Sequence, residues 1–168
     1  MAIVVSSDFI GEYAIPQTTF STEEFDFFIE KYEKKYLVQL MGAELYDLFI
    51  ADLDGATPQA PQTQRFIDIF NEFQVDESIC VIVSEGMRKM MVQFIYFHYV
   101  RENQTLNTAN GTVTNNVELG TNAAFQGNIV QAYNQGVCNA QSIQWFILDD
   151  NTTYPEENVQ PFLFTSGI

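Results

Sequence analysis

The sequence predicts a mostly α protein: a bundle of about five helices, a long loop or β-hairpin inserted in it, and extended arms at both ends. Three observations carry the prediction. Apolar residues recur at helical spacing over most of the chain between Phe25 and Ile147. The polar, Asn- and Thr-rich stretch 102–121 loses that period and contains Asn110-Gly111, the strongest short hairpin signal. Gly11 and Pro16 near one end, and Pro155 and Pro161 near the other, break any regular pattern. The 168 residues fit one domain, with an arm over 1–19, the loop or hairpin over 102–121 and a tail over 152–168.

The arm begins with a short β-prone run, Ala2 to Val5. It either straps the protein's own core or reaches a neighbouring subunit. The next stretch, Phe20 to Leu53, organises the chain. Ser21 and Glu24 have capping-box spacing, and Phe20 with Phe25 forms a hydrophobic staple. Phe25, Phe28, Ile29, Tyr32, Tyr36, Leu37 and Leu40 then make one apolar stripe, while Glu23, Asp26, Glu30, Lys34 and Lys35 fall on other faces. Gly42 ends this helix or lets two pack closely, and a second amphipathic helix carries Leu45, Tyr46, Leu48, Phe49 and Leu53.

Gly55, Pro58 and Pro61 make a loop of the residues after Asp54. A short helix follows from about Thr63 to Phe73, then a turn over Gln74 to Glu77. A long helix runs from about Asp76 or Glu77 to Arg101. Its second half, MMVQFIYFHYV, is apolar on nearly every face but shorter than the ~20 residues a membrane span needs. It is expected to be a central buried helix, or one partly covered by another subunit. The last long helix starts near Asn122, with Phe125, Ile129, Ala132, Tyr133, Val137, Ala140, Ile143, Phe146 and Ile147 on one face. Asp149 and Asp150 oppose the macrodipole at its end. The tail closes on an apolar run, Pro161-Phe162-Leu163-Phe164, suited to fold back or to bind another subunit.

Apolar residues make up 46% and aromatics 14%, so the chain folds despite a formal charge of −15. That charge argues against ordinary nucleic-acid binding and against an anionic membrane surface. Cys80 and Cys138 stand in unrelated segments; both are expected to be buried small apolar residues, with no disulfide or metal role. His98, the only histidine, lies in the apolar run and is expected to be a hydrogen-bonded core residue. Nucleotide-binding loops, zinc motifs and serine-hydrolase elbows are absent from the sequence, so an enzyme is the class least expected, and no cofactor or metal is. The first residues lack a basic leader and a long apolar core, so no secretory signal is expected.

Ile29, Tyr32, Glu33, Tyr36, Leu37, Leu40, Met41, Gly42, Leu45, Tyr46 and Phe49, in that order and spacing, resemble the opening signature of head-to-tail connector proteins of tailed bacteriophages. The likeness is closest to the neck ring (head-completion) proteins of crAss-like phages. A second match follows downstream at Thr108, Gly111, Val113, Tyr133, Asn134, Val137, Ile143 to Ile147, Asn151, Tyr154 and Pro155. The resemblance implies a structural virion protein, assembled in the host cytoplasm. It would form a ring with its own copies, a dodecamer, in the neck, dock on the portal and meet other neck or tail proteins. DNA would pass through the ring without specific binding, and an acidic lumen would repel its phosphates. The expected neighbour-binding residues are Val4 and Val5 of the arm, Asn110, Gly111 and Val113 of the hairpin, and Phe162, Leu163 and Phe164 of the tail. The alternatives are a monomeric acidic binding protein, such as a DNA mimic, and another virion part, such as a tail terminator.

Overall fold

Gly42 shapes the first element. In a computed structural model of the protein, Thr22–Asp52 forms one long helix, α1, kinked where Gly42 adopts φ 75° and ψ 172°. Left-handed backbone of that kind is open to glycine and strained for other residues. The structure describes residues 2–15, 22–76, 81–103, 105–108, 111–114 and 119–156. Among them, α1 is followed by three more helices: α2 (Gln64–Phe70), α3 (Met87–Asn103) and α4 (Leu119–Asp149). Two antiparallel hairpins complete the order, β1 (Phe73–Asp76) with β2 (Val81–Ser84), and β3 (Thr105–Thr108) with β4 (Gly111–Thr114). The mostly α architecture with a hairpin after α3 is as expected. Gly42 leaves helical backbone and separates two helical segments, as its place in the sequence predicts; taken as one kinked element, α1 makes the helices four rather than about five among the described residues.

A second difference lies between α2 and α3. The sequence predicts a turn at 74–77 and a helix from there to Arg101, but the segment is the β1–β2 hairpin. Val75, Val81, Ile82 and Val83 are β-branched and suit a pleated, half-buried surface. Val75 pairs with Ile82, and the ring of Phe73 lies 4.9 Å from that of Phe146 on α4. Helix α3 starts only after Gly86, whose φ is 88°. A Cβ there would stand 2.8 Å from the Phe70 carbonyl oxygen, so the helix start is pressed against the end of α2.

Helix α3 is the centre. Its residues 90–97 are all buried, as the apolar run predicts. α1 packs antiparallel along it through aromatic pairs: Phe25 on Tyr99, Tyr32 on His98 and Tyr36 on Phe94, with centroids at 5.1, 4.0 and 4.1 Å. On the other side, α4 presents Ala132, Ala140, Ile143 and Ile147, and Tyr133 meets both Phe94 and Phe97. Burying side chains of this size contributes about 1.5–3 kcal/mol each before entropy is counted.

The ends are tied down locally. Residues 2–15 lie along their own core, passing through two single 3-10 turns, with Ile3, Val4, Phe9, Tyr13 and Ile15 buried. Residues 2–15 thus strap their own chain. Asp52, at the end of α1, accepts the N–H groups of Gln62 and Thr63 at 2.8 Å and the Thr63 hydroxyl, which holds the loop before α2. After α4, Tyr154 is fully buried and donates to the Arg65 carbonyl at 2.5 Å. Arg65 also pairs with Glu156 at 3.2 Å.

Candidate functional site

Three places hold groups with chemistry. The first is the seam between α1 and α3. His98 Nε2 lies 2.6 Å from Tyr36 Oη, and the imidazole is stacked on Tyr32 with 14° between the rings. Burial, and then the positive charge of Lys35, pulls the His98 pKa down to about 4, so the ring is neutral near pH 7. Burial likewise raises the Tyr36 hydroxyl well above its ordinary range. At the rim, Tyr32 Oη donates to Glu102, which also pairs with Lys31 at 3.6 Å. Packed between rings, the imidazole serves as a core partner, as its place in the sequence predicts.

The second place is Glu33, on the face of α1 beside the apolar stripe. It is 1% exposed and accepts the Ile3 N–H at 3.1 Å to each carboxylate oxygen and the Val4 N–H at 3.4 Å. Burial pushes its pKa up to about 7, against the pull of those same donors. Its role is to seat the strap, helped by Arg88 Nε on the Ile3 carbonyl at 3.1 Å and by the Gln59 N–H on the Ala2 carbonyl at 2.9 Å.

The third is a polar cluster between α3, α4 and the end of β2. Asn139 Nδ2 donates to Gln93 Oε1 at 2.9 Å and to Glu85 Oε2 at 3.1 Å. Gln93 Nε2 donates to Glu85 Oε2 at 2.9 Å, and the Glu85 N–H donates to Asn139 Oδ1 at 2.9 Å. Tyr13 of the strap joins by donating to Gln135 Oε1 at 2.6 Å. Above it lies a groove of about 540 Å³ that opens broadly to solvent, lined by Glu85, Val130, Gln131, Asn134, Gln135 and Cys138. Cys138 is exposed there, not buried as expected, because it faces outward from α4. Among the described residues no group of His, Cys, Asp or Glu could hold a metal ion, and no helix is long and apolar enough to cross a membrane.

The residues predicted to meet neighbours are scattered. Val4, within the strap, is fully buried against its own chain; Val5 is half-buried. Gly111 and Val113 fall on β4, opposite Thr108 and Leu106. Asn110, Phe162, Leu163 and Phe164 lie outside the described residues, as do Phe20, Ser21 and Cys80 and the side chain of Phe125. Exposed apolar side chains occur elsewhere: Phe27 on α1 at 71%, and Val81 and Val83 on β2 at 56% and 54%.

Sequence reasoning missed Glu33, Glu85 and Asn139 as buried or networked polar groups. Gln93 alone carried a signal: with His98, it is a polar residue inside MMVQFIYFHYV. No protein-family model, curated protein or solved structure matches this chain.

Proposed function

We propose that this chain is a structural subunit of a tailed-phage neck, assembling with its own copies into a twelve-fold ring that joins the portal to the tail around the DNA passage. What carries this role is the ordered run of residues, from Ile29 to Pro155, that resembles the pattern of head-to-tail connectors. Those positions are largely framework here: Tyr32, Leu40, Met41, Ile143 and Tyr154 are buried and Gly42 makes the kink. The likeness therefore concerns a shape rather than a reactive site, which suits a structural part.

Charge adds support. Six of the seven cations, Lys31, Lys35, Arg65, Arg88, Lys89 and Arg101, sit over aromatic rings of their own chain. Positive charge thus serves local packing, and the 22 acidic residues dominate the outer field. Copies around a channel would repel DNA rather than hold it. In this role the tail beyond Glu156 binds a neighbour. Tyr154 and Glu156 close the core before it, so deleting residues 159–168 is expected to impair assembly and leave the subunit folded.

The test is co-purification with virions, with electron microscopy of the neck to locate the ring. A chain absent from particles ends this role. The charge of −15 also favours a second role, an acidic mimic that occupies a basic partner. A stable stoichiometric complex with a basic protein, and no place in the particle, would select it.

A further inference from the structure

Glu33 fastens one segment and nothing else. Its carboxyl is sealed at 1% exposure, and among the described residues its partners are the N–H groups of Ile3, at 3.1 Å to each oxygen, and Val4, at 3.4 Å. No described cation pairs with it. Arg88 of α3, the guanidinium at this seat, donates its Nε to the Ile3 carbonyl and lies over the Phe70 ring. The other charges nearby are few. On α1, Glu30 opposes the charge of Glu33, and the Tyr46 hydroxyl feels that same charge. Lys34, the next residue, is exposed. On the strap, the amino terminus favours the charge, while Asp8 is engaged with the Val5 N–H at 2.9 Å.

A carboxyl buried without a cation favours its neutral form, because two neutral donors do not replace the hydration it has lost. Freed from the strap, the same group is hydrated and ionises in the ordinary carboxylate range. The seated and lifted forms of the strap therefore hold the proton with different strength. Burial pushes the seated group from 4.5 up to about 7, so the preference for the seated form is full below pH 4.5 and is lost as pH rises through 7. The effect is confined to the first residues. Beyond the 3-10 turn Ser6–Asp8 the strap has fastenings of its own: Phe9 on Phe25 at 4.8 Å, Tyr13 on Tyr96 at 5.5 Å, and Tyr13 Oη on Gln135. Tyr13, raised to about 12 by burial, keeps its proton throughout this range.

We propose that Glu33 and residues 2–5 form a proton-operated latch: the segment is seated on α1 while the carboxyl carries its proton, and it lifts away when the proton leaves. Lifting hydrates the carboxylate and uncovers the apolar seat of Ile3 and Val4, both fully buried when the latch is closed. It also frees two backbone N–H groups on an uncharged, β-prone run. The remainder of the strap, from the first 3-10 turn onward, stays in place. The latch is a property of the single chain and does not depend on ring assembly.

The experiment is amide hydrogen exchange on the full-length chain, read by NMR and corrected for the intrinsic pH dependence of exchange. Protection of the Ile3 and Val4 amides should fall at least roughly tenfold from about pH 5 to about pH 8. The amides of Tyr13 and Ala14, bonded within the second 3-10 turn, should change by less than about twofold over the same range. Glu33→Gln, which imitates the protonated carboxyl, should keep Ile3 and Val4 protected with no step in pH. A second measurement needs no variant: the Glu33 carboxyl carbon in the wild-type chain should titrate with the midpoint of the exchange step. Protection of Ile3 and Val4 that is constant or rises with pH overturns the latch, because the ionised carboxyl would then hold the segment at least as well. So does an equal step in Glu33→Gln, or a Glu33 carboxyl that titrates in the ordinary carboxylate range.

Discussion

The two sides of α3 are built differently. Towards α1 it meets a ladder of rings, in which Tyr36 and Phe94 lie nearly parallel at 3° and His98 is the one basic group. Towards α4 and the β1–β2 hairpin it adds to apolar packing on Ala140 and Tyr133 a cluster of amides and a carboxylate, Asn139, Gln93 and Glu85, beneath an open groove. The first side is completed within one molecule, by area and shape. The second needs hydrogen bonds as well as area, and beside it Val81 and Val83 face solvent. Area burial tolerates no gap, whereas a polar network tolerates no missing partner.

The largest expected effect tests the ring ladder. Phe94→Ala removes a fully buried ring that touches Tyr36, Tyr133 and the face of α4 at Gly136, where a Cβ would come within 3.0 Å of it. It should cost about 3–5 kcal/mol in urea unfolding. A loss below about 1 kcal/mol would mean that the seam is not the stabilising side.

Next comes pH, where two buried groups act with opposite sign. Glu33 is raised from 4.5 to about 7, so the folded state holds its proton more tightly than the unfolded state. Its contribution is full below pH 4.5 and is lost as pH rises through 7. His98 is lowered from 6.5 to about 4, so its contribution is full above pH 6.5 and is lost as pH falls through 4. For the sealed Glu33 this amounts to roughly 3 kcal/mol; for His98, partly screened by solvent, it is smaller, and the two oppose one another across the shared window. Stability measured against pH should therefore change in opposite senses in the two variants relative to wild type. Glu33→Gln should gain in relative stability as pH rises from 4.5 to 7, and His98→Leu should gain as pH falls from 6.5 to 4. Parallel shifts would refute the assignment.

The polar side should respond more modestly but cooperatively. Asn139→Ala strands Gln93 and Glu85 and should cost roughly 1–3 kcal/mol. Adding Gln93→Leu should cost less than the sum of the two single changes, because the buried amide then has no partner to miss. Additive losses would show that the three groups do not act as one network. The smallest effect belongs to the hairpin's outer face: Val81→Thr with Val83→Thr should move the unfolding free energy by less than about 0.5 kcal/mol, since both side chains are already wet.

Helix content, the apolar stripe of α1 and the buried face of α4 were legible because each rests on a local period. Ile29, Tyr32 and Leu40 were placed by spacing alone, and they are buried. The hairpin after α3 was legible from Asn110-Gly111, but Gly111 pairs with Thr108 in the ladder instead of sitting at the centre of the turn. The β1–β2 hairpin was not, because a short run of valines before a long helical pattern reads as its beginning. Only pairing across Val75 and Ile82, with Gly86 turned against Phe70, distinguishes the two. Cys138 was misplaced because cysteine's habit of burial says nothing about which way one turn of α4 points.

Spacing and charge count thus determined by themselves that this is an acidic helical bundle with α3 at its centre. The three-dimensional packing decided what the polar groups do. Glu33 is sealed by backbone 30 residues away, and Glu85 and Asn139 meet across 54. Periodicity is a property of neighbours within a turn or two, whereas burial of a charge depends on donors that only a closed fold brings to it.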